Sequence, residues 1–188
     1  MPAGGGAAVL TRFVLLLRGV NVGKARRVPM AVLRTLLNDL GYTQVATLLN
    51  SGNAVFSAPS GQPDHHATAI ARALAERLGF EVPVIVKTAR SLAAVVADKP
   101  TAMDGADPSR LLVAFAPTDT ALAALAALSP LVAPPEQFVL GAHAAYLQCA
   151  NGILDSPAGA ALVGKLGRSA TSRNWATVLK LQALINAA

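Results

Sequence analysis

Cysteine is almost missing from this chain: Cys149 is the only one in 188 residues. A single thiol excludes an internal disulfide framework and a cysteine-ligated zinc site, and it suits a reducing cytoplasm. Within its apolar segment it is most simply a small packed hydrophobe. Aromatic residues are also scarce, at 4%. Few rings mean few platforms on which exposed bases stack, which weakens any reading as a reader of single-stranded nucleic acid. Long hydrophobic runs are missing too. The uncharged stretch at residues 137–154 holds Gln, His, Asn and two glycines, whereas a spanning helix needs roughly 20 mainly apolar residues. The N-terminus has no basic segment ahead of its short apolar run, so it does not read as a signal peptide.

What is abundant is small apolar side chains and, in one half, positive charge. Hydrophobic residues make up 53% of the chain, enough to build the core of one compact domain or of two small ones packed together. Sixteen Lys/Arg against ten Asp/Glu leave a net charge of +6. Residues 1–99 carry eleven of the bases and five of the acids, so the excess lies there. Arg18, Lys24, Arg26, Arg27 and Arg34 precede the first acid, Asp39. Such a cluster raises the local potential for an anionic partner, although a solvated basic face with no ligand has the same composition.

The order of elements follows from periodicity. RFVLLLR (12–18) is continuously apolar between charged ends, as in a strand buried on both faces. PMAVLRTLLNDLG (29–41) has helical spacing, with Pro at the first helical position and Gly at the end. VATLLNSGNAVFSA (45–58) reads as two strands joined at Asn50-Ser51-Gly52-Asn53. DHHATAIARALAERLG (64–79) is a helix with an Asp N-cap, and EVPVIVKT (81–88) is a strand that Pro83 assigns to a sheet edge. Strand, helix, strand, strand, helix, strand is the ferredoxin-like unit. ADKPTAMDGADPS (97–109) reads as a linker, after which the pattern starts again: strand 110–116, helix 119–128, hairpin 136–140 and 144–150 around Gly141, helix 157–167, a short strand at SATS, and a final helix over 173–185. The expected fold is therefore α+β: two ferredoxin-like halves, 1–99 and 100–188, with mostly antiparallel sheets, helices packed on one face and a C-terminal helix. In such a sheet the first and third strands are central. RGVNVGKARR (18–27), NSGN (50–53) and the connection at Gly79-Phe80 then meet at one end of it.

Chemical motifs are few. Gly19 to Gly23 is too short for a P-loop, and Ala25 stands where that motif needs Ser or Thr. What remains is a flexible loop with Arg18, Asn21 and Lys24 as donors, followed by a helix N-terminus that favours anions. In GRSATSRNW, Arg168 and Arg173 flank the expected start of the last helix, where cations are disfavoured unless an anion or acid is near; Asp155 and Asp119 are the plain intramolecular alternatives for Arg173. Thr171 or Ser172 is the expected N-cap, and Trp175 is most simply a core anchor. His65 and His66 read as exposed residues of a helix end, and His143 as a turn residue. No metal-ligand spacing and no Ser, His and Asp set is present. Ser51 lacks the context of a nucleophile elbow.

The segments FVLLLRGVNVG (13–23), VPMAVLRTLLNDLGY (28–42), LLNSGNAVFSA (48–58) and ATSRNWATVLKL (170–181) resemble the bacterial domain-of-unknown-function family 1697. At Gly23-Lys24 the chain departs from the family pattern, in which a second glycine precedes the lysine. The resemblance implies a compact cytoplasmic α+β protein of two ferredoxin-like halves, and it implies no activity and no cofactor. It draws attention to Arg18, Gly19, Asn21, Asn50, Ser51, Gly52, Asn53, Arg173, Asn174 and Trp175 as signature positions. With Lys24, these form the candidate binding set for a phosphate-bearing or otherwise anionic ligand, a nucleotide or nucleic acid. An enzyme acting on a small phosphorylated or carboxylated metabolite is the alternative. A protein-interaction scaffold, self-associating through strand 81–88 into a homo-oligomer, is a third.

Overall fold

The computed structural model describes residues 9–59 and 61–187. The N-terminal stretch read as lacking a signal peptide lies, over residues 1–8, outside the described residues. The first half runs β1 (Leu10–Leu17), α1 (Met30–Asp39), β2 (Thr43–Leu48), β3 (Asn53–Pro59), α2 (Pro63–Leu78), β4 (Val84–Thr88) and α3 (Ala89–Ala97). The second runs β5 (Leu111–Phe115), α4 (Asp119–Ala123), a 3-10 segment (Ala124–Leu131), β6 (Gln137–Leu140), β7 (Ala145–Gln148), α5 (Pro157–Val163), β8 (Thr171–Asn174) and α6 (Trp175–Asn186). The two four-stranded sheets have orders β2-β3-β1-β4 and β6-β7-β5-β8, and every pairing is antiparallel. Two ferredoxin-like halves and a C-terminal helix are present, as the element order predicts.

Alternation along β1 explains its unbroken apolar sequence. Phe13, Leu15 and Leu17 pack under α1 and α2, against Leu33, Leu37, Ile70 and Leu74. Val14 and Leu16 face the other way, into a central core shared with Val113, Phe115 and Tyr146 of the second sheet and with α3 and α6. Leu112 and Ala114 turn outward beneath α4, the 3-10 segment and α5. Each half thus keeps its own pair of helical segments on one face, while the opposite faces of both sheets close on a common centre.

Several local readings change. α3 is an additional helix: it leaves β4 without an intervening turn, and Thr88 Oγ1 caps it by accepting from Ser91 N at 3.0 Å. The segment read as a linker contains the 3-10 turn Thr101–Met103, and Met103 is buried in the central core. The helix expected over 119–128 tightens to 3-10 geometry after Ala123 in a stretch containing Pro130, which has no N–H for the helical ladder. α2 starts at Pro63 with Gln62 as N-cap, so Asp64 lies in the first turn and complements the helix dipole instead of capping it. Its C-cap, Gly79, is left-handed as expected.

Tyr146 joins the second sheet to α3. Its buried hydroxyl donates to Val95 O, a last-turn helix carbonyl, at 2.6 Å. Tyr146→Phe is expected to lower stability by about 1–3 kcal/mol, because that carbonyl is left unsatisfied in the core; urea denaturation measures it. His66 is not an exposed helix-end residue. It packs against Phe13 and Phe56 with Nδ1 2.9 Å from the Tyr42 hydroxyl, and its buried Nε2 has no partner among the described residues. Burial first, and His65 second, depress its pKa below the ordinary value of 6.5. The unfolded chain then binds the proton more readily. The stability His66 contributes is complete above pH 6.5 and is lost as pH falls through its folded value. Thermal melts between pH 7 and 5 are expected to show this decline, and His66→Phe to flatten it.

Candidate functional site

After Leu17 the chain leaves β1 through a loop with left-handed backbone at Gly19, Asn21, Gly23 and Arg26. The loop is closed internally. Asn21 Nδ2 donates to Val28 O at 2.9 Å, Val28 N donates back to Asn21 Oδ1 at 2.8 Å, and Asn21 N donates to Arg26 O at 3.1 Å. Asn21 Nδ2 also reaches Asn50 O at 2.5 Å, tying the loop to the β2–β3 turn. Leu17 N donates to Gly52 O at 2.8 Å, and Arg18 N to Pro83 O at 3.0 Å at the start of β4. The loop, the turn and the α2–β4 connection therefore meet at one end of the sheet. Lys24, Arg26 and Arg27 of the loop are exposed to solvent.

Gly52 is required where it stands. Its φ of +81° is left-handed, and a Cβ there would fall 2.6 Å from Leu17 Cβ and 2.8 Å from Val20 Cγ2. The next residue, Asn53, is buried; its Nδ2 donates to Leu48 O at 3.1 Å and to Ser51 Oγ at 2.9 Å, which leaves Oδ1 facing the second half.

Arg173 occupies that position. It belongs to β8 and not to the last helix: its cross-strand partner is Val113, so its side chain enters the central space. Only 8% of it is exposed. Nε donates to Asn53 Oδ1 at 2.5 Å, one terminal nitrogen to Thr171 Oγ1 at 2.8 Å and Ser172 O at 2.7 Å, and the other to Leu17 O at 2.6 Å and Ser51 O at 3.2 Å. All five N–H groups are engaged, every acceptor is a neutral oxygen, and neither Asp155 nor Asp119 is among them. Burial lowers the guanidinium pKa to about 10, so it remains charged at neutral pH. Arg18 crosses the same seam in the opposite direction. Its terminal nitrogens donate to Ala170 O at 3.0 Å, Val163 O at 3.2 Å, Gly164 O at 3.0 Å and Gly167 O, which places a cation over the C-terminal end of α5.

Between these two arginines lies a cleft of about 420 Å³. Leu17, Val20, Val22, Leu162 and Val163 make its walls apolar, and Ser51, Thr171 and Ser172 add hydroxyls. Among the described residues no Asp, Glu, His, Lys or Cys lines it. Of the sequence-derived set, Arg18, Gly19, Ser51 and Arg173 line the cleft, whereas Asn21, Asn50, Gly52 and Asn53 stand behind and shape it. Lys24 lies outside. Asn174 is the N-cap of α6, accepting from Thr177 N at 2.9 Å, in place of Thr171 or Ser172. Trp175 packs in the central core with Lys99 Nζ 5.9 Å above its ring. The α5 wall had no precursor in the sequence reading, because only the packing of the halves brings Leu162 and Val163 to Arg18. Among the described residues no group of His, Cys, Asp and Glu is placed to hold a metal ion.

Arg173→Met is expected to cost about 1–3 kcal/mol, since Asn53 Oδ1 loses its donor in the interior while Leu17 O keeps Thr171 Oγ1. Arg173→Lys is expected to recover only part of this, because an ammonium has three donors and no planar fork. Urea unfolding of the two variants checks both.

The family model described as "Protein of unknown function (DUF1697)" matches residues 10–146. The fold is similar to that of conserved bacterial protein SP0830 from Streptococcus pneumoniae, with a TM-score of 0.75 and 23% identity, covering 94% of this chain and 99% of that one. At that identity the likeness concerns the fold alone. Comparison with curated proteins gave no match. The Arg18 loop and the Asn50–Asn53 turn fall inside the matched residues, the Arg173 strand beyond them, and the match spans most of the chain: it belongs to the DUF1697 family of proteins of unknown function.

Proposed function

We propose that this protein is a non-catalytic binding module of the cytoplasm whose ligand is a small phosphate- or carboxylate-bearing molecule with an apolar body, of about mononucleotide size, seated in the cleft between Arg18 and Arg173. One observation carries this reading: two guanidinium groups flank an apolar cleft with no acidic side chain in its walls among the described residues. In an apolar surround such charges act over distance with little screening. Arg173, with its N–H groups already engaged, contributes field; Arg18, whose Nε–H has no partner among the described residues, also offers a bond. The volume falls in the range of small-molecule sites, and the exposed Lys24, Arg26 and Arg27 extend the positive potential beyond the mouth.

Two alternatives draw less support. A nucleic acid stacking on a ferredoxin-like sheet needs exposed rings, and Phe13 and Phe56 are both buried. An enzyme needs a base or nucleophile beside its substrate, and among the described residues the cleft lining offers hydroxyls without a carboxylate, imidazole or amine to activate them.

The test is a thermal-shift screen of mononucleotides, sugar phosphates and aliphatic carboxylates, on the wild-type chain and on Val163→Glu. Val163 is half-exposed at the cleft wall, so the substitution brings an acid to Arg18 without emptying the core. A ligand present at 100 times its Kd is expected to stabilise the wild type by about 2.7 kcal/mol, with a response that weakens as salt rises, and to leave Val163→Glu unmoved. Absence of any stabilising ligand, or an equal response in the variant, removes the reading.

A further inference from the structure

The two halves present corresponding seams. β4 pairs with β1 through Lys87↔Val14, and β8 pairs with β5 through Arg173↔Val113. Val14 and Val113 both face the central core, and cross-strand partners share a face, so Lys87 and Arg173 occupy equivalent inward positions. The equivalence continues along the chain. Each cation is followed by the last strand residue, Thr88 or Asn174, which caps the central helix that comes next. The Arg173 seam is filled by hydrogen bonds to the facing turn. The Lys87 seam is open.

A second pocket of about 170 Å³ lies there, between β4, α3, the end of β5, the start of α4 and the β6–β7 turn. Lys87, Ser91, Thr118, Asp119 and His143 supply its polar lining. Among the described residues the Lys87 side chain has no hydrogen bond and no ion pair; Asp64 and Asp119 act on it only over distance. Burial lowers the Lys87 pKa, and those two carboxylates partly offset the effect. Ser91 Oγ lies 2.9 Å from Thr88 Oγ1, and His143 Nε2 lies 3.5 Å from the Asp98 carboxylate. A half-buried ammonium with no protein oxygen on its three donors attracts an anion more strongly than a fully exposed one, because its surroundings screen it less.

We infer that this second seam is a binding site for a small oxyanion, a phosphate or carboxylate of a few heavy atoms, held by the Lys87 ammonium with the Ser91 hydroxyl and the His143 ring. The space, about 170 Å³ against about 420 Å³ in the first cleft, suits a small ion better than a ligand of mononucleotide size. It is therefore distinct from the Arg18–Arg173 cleft and does not depend on a ligand there. Asp119, exposed at the rim, opposes the anion and sets a ceiling on its affinity.

The experiment labels the full chain with a limiting amount of an amine-acetylating reagent and follows each lysine by peptide mass spectrometry, with and without inorganic phosphate, acetate or malonate. Lys87 is expected to be protected several-fold by at least one of these ions while the other lysines are unchanged; which ion protects identifies the oxyanion class. Calorimetric titration with the protecting ion is expected to fail for Lys87→Met, to persist for Lys87→Arg, and to tighten about two- to fivefold for Asp119→Asn as a nearby like charge is removed. Val163→Glu, which alters the first cleft, is expected to keep the protection. Equal labelling of Lys87 with and without every ion overturns the inference without requiring any variant to fold. So does loss of protection in Val163→Glu, or unchanged titration in Lys87→Met.

Discussion

The guanidinium of Arg173 is held by oxygen atoms that come from both halves of the molecule, and the geometry of the seam follows from that arrangement. β8 contributes Thr171 and Ser172; the first sheet contributes Leu17, Ser51 and Asn53. A buried cation without a carboxylate is tolerable when each N–H meets an oxygen, and only arginine offers five donors in a rigid fork. The neutrality of its acceptors also bears on the potential in the cleft. A carboxylate would cancel the charge locally, whereas carbonyl dipoles leave it to be felt in the cleft. Arg18 works in the reverse direction, from the first half onto the carbonyl end of α5, so the seam is fastened twice.

Duplication of the fold supplied two positions of the same geometry and different chemistry. Both are penultimate in the fourth strand of a half, both face the centre, and both precede a capped helix. With arginine the position becomes a fastener that reads the turn opposite. With lysine, a compact ammonium on a flexible stem, it borders a small pocket lined by Ser91, Asp119 and His143. The two pockets differ in the same sense: one is apolar-walled and large, the other polar and small.

How far the sequence foretold this depends on whether a feature is local. β1 was legible because a strand buried on both faces has no polar alternation to confuse it, and the meeting of the Arg18 loop with the Asn50–Asn53 turn followed from antiparallel topology. α3 was hidden because it follows β4 with no Gly or Pro between them; its one signal was Thr88 three residues ahead of Ser91. Arg173 read as the start of a helix because ATSRNW continues into helical periodicity, and only pairing with Val113 reveals the strand. The partners of Arg18 on α5 are more than 140 residues away in the chain, and no pattern along a sequence encodes a contact that arises when two finished surfaces meet.

The common central core has a bearing on how the molecule is made. The inner face of the first sheet, with Val14, Leu16, Val55 and Ile85, is covered in part by α6, the last described helix. During synthesis β1 to β4 emerge well before it, so that apolar face waits in water, open to any passing hydrophobic surface, until residues 175–186 have left the ribosome.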